Sequence, residues 1–439
     1  MRLFDLSLKL NGFPIPRARE ELKAIQSITL SEYNDFISAK RDGIVRFHLD
    51  NNPFYRSLTD SLKISDWSDV PIMTKRDLQR PLKERLSKGF NRKSVYVNKT
   101  SGSSGDPFVF AKDKYCHAMT WAIIQNRFGW FGLDFNSSKQ ARFYGIPLEK
   151  GAYYKERIKD YFGNRYRFSV FDLGDLAFEN ALKVFERRAF DYINGYTSSI
   201  VQFAKFLCRK QIILKAICPS LKVCVVTSEM LFEDDKLLLE NHIGIPVVNE
   251  YGASELDLIA FQSPQDEWRI NSETLYVEIL DKNNAVLPYG KEGRIVITSL
   301  YNRAHPFIRY DIGDTGIMSK DANIKKPILQ SLTGRTSDIV KLPSGKYAAG
   351  LTFYYITKSV IEKDGNVKEF VIEQHKEDLF KIKYVSSETL AEHKTKDIVK
   401  ALERYLESGL KIEFEQKEKL KRSKSGKLKQ FSSMLQTEA

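Results

Sequence analysis

The sequence predicts an α/β protein. It divides into a large N-terminal domain, with mixed and parallel sheets and a small β-subdomain, and a small α+β C-terminal domain. Three observations predict this. Residues 190–260 alternate short β-branched runs with helical stretches, as βαβ units do. Residues 270–318 set two apolar runs on either side of a turn-rich stretch, as antiparallel strands do. Beyond Gly334, strands and helices interleave on a smaller scale. The chain has 439 residues, which suits two or three domains at roughly 100–200 residues each.

Residues 1–90 read as a helical lead-in broken at Pro53 and Pro71. Leu3, Leu6 and Leu10 fall at helical spacing and are expected to pack on the body of the protein, with a weak peripheral membrane contact as the alternative. Val95–Val97 and Phe108–Phe110 read as two strands around a loop, and residues 113–128 as an aromatic-rich helix. Then come strands at Phe190–Ile193, Val223–Val226 and Ile245–Val248, with helices at Ser199–Arg209 and Glu233–Asn241. Apolar strands of this kind imply a largely parallel sheet covered on both faces. Leu275–Leu280 and Arg294–Leu300 flank the turn-rich segment DKNNAVLPYGKEG. The small domain is read as helix Leu351–Ile361, strands Glu369–Glu373 and Phe380–Tyr384, helix Lys394–Leu406 and strand Lys411–Phe414.

Lys and Arg number 69 against 56 Asp and Glu, a net charge of +13. That surplus suits an anionic partner: nucleic acid, a membrane surface or a phosphorylated small molecule. Nucleic acid is not expected, because the chain carries no RNP, helix-turn-helix or zinc-finger signature and no basic stripe interleaved with aromatics. Cys116, Cys208, Cys218 and Cys224 form no CxxC pair, so they read as free thiols of a cytoplasmic protein rather than a zinc site. His117, His242 and His305 have no metal or triad spacing. Asp5 and Lys9 interrupt the N-terminal apolar run, so no signal peptide is read there, and no transmembrane segment is expected.

Between the first two strands lies Lys99-Thr-Ser-Gly-Ser-Ser-Gly-Asp-Pro107. Thr100, Ser101, Gly102, Ser103, Ser104 and Gly105 supply hydroxyls and a backbone free to approach a ligand closely, which suits phosphate oxygens. The spacing is not that of a Walker A loop. A plain Ser/Gly surface turn is the alternative. Further motifs follow in order: Asn249-Glu-Tyr-Gly-Ala-Ser-Glu255, Arg309-Tyr-Asp-Ile-Gly-Asp314, Gly334-Arg-Thr-Ser-Asp-Ile-Val-Lys341 and Lys424-Ser-Gly-Lys427.

This ordered set, spanning about residues 95–430, resembles the adenylate-forming superfamily of acyl-CoA synthetases, adenylation domains and luciferases. It is most similar to the phenylacetate–CoA ligase-like branch and its CapK-like (capsular polysaccharide biosynthesis) members. The compact length, Asp106-Pro-Phe, Val70-Pro-Ile-Met-Thr-Lys75 and His305-Pro-Phe-Ile-Arg-Tyr-Asp-Ile-Gly-Asp314 carry that finer likeness.

The resemblance implies an ATP-dependent, AMP-forming enzyme that activates a carboxylic acid as an acyl-adenylate. The acyl group would pass to CoA or to an amine or hydroxyl of a sugar-linked acceptor. It implies domains at 1–334 and 335–439, the second a mobile cap carrying the catalytic Lys427. Thr100–Gly105 would cradle phosphates, with Ser254 at their border. Tyr251 would stack on adenine, and Asn249, Glu250 and Gly252 would line it. Glu255 would hold Mg²⁺, the bland alternative being a helix-capping Glu. Asp314 would bind the ribose, and Arg335 the ribose or phosphates. Thr227-Ser228-Glu229 resembles the segment that passes under adenine in relatives, the alternative being that Thr227 and Ser228 cap the next helix. Ser337 departs from the Asp or Lys that relatives carry at the hinge. Phe143, Tyr144, Tyr196 and Thr197–Ser199 lie in regions that border the acyl pocket in relatives, and the acyl group is not legible from them. A nucleotide-binding member without catalysis is a further alternative, against which Glu255, Asp314 and Lys427 stand.

Overall fold

The computed structural model describes residues 3–60, 62–100, 108–145, 150–168, 170, 173–335, 339–345, 347–349, 353, 357, 361, 367–422 and 428–435. Two compact units make up the chain. One is residues 1–312 with 316–331, the other 313–315 with 332–439.

The larger unit begins with helices α1 (Leu3–Leu10), α2 (Ile15–Ser27), α3 (Leu30–Asn51), α4 (Pro53–Thr59) and α5 (Leu82–Arg85). In α2 the residues Ile15, Ala18, Leu22 and Ile25 recur every three to four positions and are the buried ones. A hairpin of β1 (Val95–Lys99) and β2 (Val109–Asp113) follows, then α6 (Lys114–Gly129). Asp113 starts α6 by accepting hydrogen bonds from the Tyr115 and Cys116 amides at 2.9 and 2.8 Å.

The centre of the unit is a seven-stranded sheet in the order β4-β3-β5-β6-β7-β8-β9. Its strands are β3 (Gln140–Phe143), β4 (Arg165–Phe168), β5 (Tyr192–Tyr196), β6 (Val223–Thr227), β7 (Val247–Ala253), β8 (Asp257–Gln262) and β9 (Trp268–Ile270). The first five run parallel, β8 pairs antiparallel to β7, and β9 pairs antiparallel to β8. Helices α7 (Lys150–Phe162), α8 (Asp175–Arg187), α9 (Thr197–Arg209), α10 (Leu214–Ile217) and α11 (Glu233–Ile243) make the connections. Alternate strand residues feed two cores. Ile193, Cys224, Val226 and Val247 pack with α8, α9 and α11. Tyr192, Val223, Val225 and Val248 pack with α2 and α6. Such two-sided burial is why β5 and β6 read as continuous apolar runs.

The chain leaves β3 for β4 on one side and then crosses back to β5 on the other. This reversal falls between β3 and β5, and the carboxyl ends of strands at such a reversal are where open α/β sheets bind ligands. Gly195 makes the approach possible there. A Cβ at that position would lie 2.5 Å from both Cβ and O of Phe143. Gly195→Ala is therefore expected to part β3 from β5, lowering the melting temperature by several degrees and ligand affinity with it, as calorimetry and ligand titration would register.

A second sheet orders β10 (Leu275–Leu280), β11 (Glu292–Ser299), β12 (Tyr310–Met318) and β13 (Leu329–Arg335). The smaller unit contains the hairpin of β14 (Ile339–Lys341) and β15 (Tyr347–Ala349). Its four-stranded sheet orders β18 (Lys411–Gln416), β17 (Leu379–Ser386), β16 (Val367–Gln374) and β19 (Phe431–Ser433). Phe370, Ile372, Phe380 and Ile382 pack there with Ile398 and Leu402 of the helix Glu392–Tyr405. The expected helix Leu351–Ile361 lies mostly outside the described residues.

Three histidines are buried in the larger unit. His48 meets the Asn302 carbonyl at 2.8 Å. His117 stacks on Tyr96 at 3.9 Å and accepts from the Trp121 indole at 3.2 Å. His305 contacts Arg85. Burial lowers His48 and His117 to about 4, and burial with Arg85 alongside holds His305 well below the ordinary value. A histidine that stays neutral in the fold but titrates near 6.5 when unfolded contributes its full stability above that pH and loses it as pH falls toward the folded value. Each of His48 and His117 would forfeit roughly 3 kcal/mol on this path. Denaturant melts between pH 7 and pH 4 should show that steep loss, and His48→Gln should flatten it.

Candidate active site

The motif Asn249–Glu255 was expected to follow a strand. Instead β7 runs through it to Ala253, paired with β6 and β8. Its side chains therefore alternate between the two faces of the sheet. Asn249 donates its amide to Gln262 Oε1 at 2.9 Å. Tyr251 sets its ring 6.1 Å from that of Trp268, at 65°. A cleft of about 480 Å³ opens beside them, lined by Phe232, Lys236, Asn249, Gln262, Trp268 and Gln330 among others. The buried indole N–H of Trp268 has no partner among the described residues.

Glu250 points to the other face and accepts a hydrogen bond from Thr227 Oγ1 at 3.0 Å. Burial raises its carboxyl to about 7, against the pull of the Thr227 bond and the Arg142 charge. At Gly252 the pairing with β8 shifts register. A Cβ here would sit 2.5 Å from the Asp257 carbonyl oxygen. Gly252→Ala should thus displace the turn that follows and lower the melting temperature by several degrees, measured by calorimetry.

That turn holds Ser254 and Glu255. No helix begins there, so Glu255 is not a helix cap. Its carboxyl is 8% exposed and accepts from the Tyr310 hydroxyl at 3.1 Å. Burial raises it, while Tyr310, Lys112 and Lys75 pull it back. Lys112 is held in turn by Asp257, which also accepts from Thr120 at 2.7 Å. Lys75 closes the segment Val70–Lys75, whose Met73 bridges in parallel to Tyr310.

Thr227 and Ser228 end β6. Ser228 takes a left-handed backbone with φ of 72°, a strained state for a residue with a Cβ and one that clusters at ligand sites. Glu229 accepts from the Ser198 amide at 2.7 Å, and its carbonyl accepts from Thr197 at 3.2 Å. Glu229 therefore caps α9 rather than the helix after it.

Thr100 is 8% exposed and closes the mouth of the small-residue loop. Its amide donates to Phe108 O, and its hydroxyl accepts from the Phe108 amide, each at 3.0 Å. Ser101, Gly102, Ser103, Ser104 and Gly105 lie outside the described residues, as do Ser337, Lys424 and Lys427. In the smaller unit, Asp314 lies inside β12, not in a turn, and is 8% exposed. Arg335 ends the neighbouring strand β13. Thr333 and Thr315 join those strands by a hydroxyl bond of 2.9 Å. Arg309 is structural. It donates to the Ser68 and Val70 carbonyls at 3.1 and 2.9 Å and lies 3.4 Å from buried Glu278.

Sequence reasoning passed over Arg142, Lys75 and the Lys112–Asp257 pair. The signal for Arg142 was present: in Gln140-Ala-Arg-Phe-Tyr144 polar and apolar residues alternate as on a strand with one polar face.

No protein-family model matches the chain. It is 22% identical to Protein CapK of Staphylococcus aureus over 347 residues, 74% of this chain and 71% of that protein. It is 31% identical to the phenylacetate-coenzyme A ligase of Aromatoleum evansii over 130 residues, 28% of this chain and 29% of that one. Its fold matches the crystal structure of 2-hydroxyisobutyryl-CoA ligase in the postadenylation state in complex with R3-HIB-AMP. The TM-score is 0.69 at 17% identity, over 92% of this chain and 90% of the ligase. The fold is that of an adenylate-forming ligase, and the ordered motifs resemble those of the adenylate-forming superfamily. In sequence it is similar to Protein CapK over most of its length and to a phenylacetate-coenzyme A ligase over a shorter stretch.

Proposed function

We infer that this protein is an ATP-dependent, AMP-forming carboxylate-activating ligase. The observation that carries this is Glu255, a nearly buried carboxyl at the end of the β7 motif, with Lys75, Lys112 and Tyr310 around it. A carboxylate oxygen of the substrate attacks the α-phosphorus of ATP. The new bond makes the acyl-adenylate, and the bond to the β-bridging oxygen breaks to release pyrophosphate. Negative charge gathers on the α-phosphate, so catalysis rests on positioning and fixed positive charge.

Among the described residues no three His, Cys, Asp or Glu side chains form a metal cage. A single carboxylate such as Glu255 suits Mg²⁺, which takes most of its ligands from substrate phosphates and water. Mg²⁺ held there would neutralise charge on the phosphates. Tyr251 and the cleft beside Asn249 suit a flat base, and the unpaired Trp268 N–H suits a ring nitrogen. Thr100–Gly105 would bind the phosphates, Ser254 would border them, Asp314 and Arg335 would hold the ribose, and Lys427 would supply the cation on the α-phosphate. In the second step a nucleophile attacks the acyl carbon and AMP leaves. CoA is one candidate, and an amine or hydroxyl of a sugar-linked acceptor, in surface-polysaccharide assembly, is the other. Among the described residues no helix is long and apolar enough to cross a membrane.

The test is carboxylate-dependent exchange of labelled pyrophosphate into ATP across a broad acid panel. Exchange that needs both a carboxylate and Mg²⁺ is expected. Purified protein that exchanges with none of the acids would remove the ligase assignment.

A further inference from the structure

Glu250 sits in the middle of the adenine motif, yet its side chain faces away from the cleft beside Asn249. The register explains why. Arg142 pairs with Asn194, Tyr196 with Thr227, and Thr227 with Glu250. Paired residues share a sheet face, and so do residues two apart along a strand. Gln140, Arg142, Asn194, Thr227 and Glu250 therefore lie on one polar face, which runs up toward the carboxyl ends of β3, β5 and β6; Tyr196, at the end of β5, packs with the core on the other face. The polar patch lies at the strand reversal between β3 and β5. Tyr144 and Tyr196 stand at the ends of β3 and β5, with ring centroids 4.7 Å apart.

The deeper part of the patch is satisfied within the protein. Gln140 Nε2 donates to Asn194 Oδ1 at 3.0 Å, and Asn194 Nδ2 donates to the Val225 carbonyl at 3.2 Å. The upper part is not. Among the described residues the Arg142 guanidinium makes no hydrogen bond or ion pair. It lies 4.3 Å over the Tyr144 ring, and its buried Nε has no partner. Glu250 has one hydrogen bond, from Thr227, and stays half-buried. The two feel each other's charge without touching. An unmet buried donor of this kind costs about 1–3 kcal/mol, which a ligand can recover.

We propose that Arg142 and Glu250 form the polar end of the acyl pocket, and that the activated substrate is a carboxylic acid carrying a neutral hydroxyl or carboxamide that bridges them. This rests on the ligase function inferred above. A hydroxyl or primary amide accepts from the guanidinium and donates to the carboxylate at once. A plain alkyl or aryl acid would leave the Arg142 Nε unpaired and give Glu250 no partner beyond Thr227. An ammonium group would meet Arg142, and a second carboxylate would meet Glu250.

The experiment is pyrophosphate exchange with matched acids on two skeletons: phenylacetate and its 4-hydroxy, 4-carbamoyl, 4-aminomethyl and 4-carboxy derivatives, and hexanoate with its derivatives bearing the same four end groups. On at least one skeleton the hydroxy or carbamoyl acid should exceed the plain acid in kcat/KM by about 100-fold or more. The two favoured arms separate alcohol from amide. In Glu250→Leu and Arg142→Leu that ratio should fall below about tenfold, and Glu250→Gln, which keeps a donor and an acceptor, should restore part of it. The ratio is read within one preparation, so partial misfolding does not disturb it. Preference for the plain, aminomethyl or carboxy acids, or a ratio indifferent to all three substitutions, overturns the proposal. Exchange with no acid at all would remove the ligase function and this proposal with it.

Discussion

Glu255→Gln is expected to lower pyrophosphate exchange by about 10²–10³-fold while the melting temperature stays close to that of the unaltered protein. Glutamine keeps the shape of the side chain and can still accept from the Tyr310 hydroxyl 3.1 Å away. It cannot supply negative charge to a cation. If the carboxyl served only to hold the turn against Tyr310 and Lys112, the glutamine variant would keep its exchange rate and Glu255→Ala would lose stability. A second reading separates these outcomes. With the charge gone, the Mg²⁺ concentration needed for half-maximal rate should rise at least tenfold, whereas loss of packing would leave it unchanged. Burial raises the carboxyl, and Lys75 and Lys112 resist that rise. The exchange rate should therefore fall as pH drops through the folded value and the carboxyl takes up its proton, and Lys75→Met should move that fall to higher pH.

Lys427→Ala is expected to reduce adenylation by a similar factor, about 10²–10³-fold, by removing positive charge where negative charge develops. The segment around it is rich in cations: Lys421, Arg422, Lys424 and Lys429. General attraction for ATP would be shared among them, so Lys421→Ala should cost about twofold or less. One positioned cation would not be shared. Supplied with a ready-made acyl-adenylate, the Lys427→Ala protein should still transfer the acyl group, because that step needs no charge on an attacked phosphate. Equal loss in both half-reactions would argue that Lys427 supports the fold of the smaller unit instead.

How far these residues could be found from sequence depended on whether local chemistry and tertiary contacts agreed. The lead-in helices were legible because their apolar residues recur at helical spacing, as Ile15, Ala18, Leu22 and Ile25 do. Strands β6 and β11 were legible because Val223-Cys-Val-Val226 and Ile295-Val-Ile297 are continuous apolar runs rich in β-branched residues. The stretch from β3 to α8 was not read. β3 and β4 have four residues each, with arginines inside them, and α7 leaves Tyr154, Ile158, Tyr161 and Phe162 exposed, so it shows no buried apolar stripe. β5 was placed too early because Gly195 reads as a breaker. Only the close approach to Phe143 explains a glycine there. β7 was ended too soon for a like reason. Asn249 and Gly252 look like turn residues, and pairing with β8 overrides their preference.

The candidate site shows the same divide. Motif order located Glu255, Tyr251 and the loop at Thr100, because each is contiguous in sequence. Lys75, Lys112 and Arg142 reach the neighbourhood from separate segments, and only the folded sheet brings them there. The motif also concealed a split within itself. Neighbours in Asn249-Glu-Tyr251 face opposite sides of the sheet, so Glu250 joins Thr227 and Arg142 rather than the cleft beside Asn249.

The most direct test of an acyl-adenylate-forming ligase is to look for the intermediate itself. Protein incubated with ATP, Mg²⁺ and a pooled carboxylate library, without any acceptor, would be denatured and its small molecules read by mass spectrometry. An acyl-AMP from one acid or a narrow group of acids, formed with release of pyrophosphate and absent from Lys427→Ala, is the expected result. ATP returned intact, or cleaved to ADP and phosphate with no acyl-AMP from any acid, would contradict it.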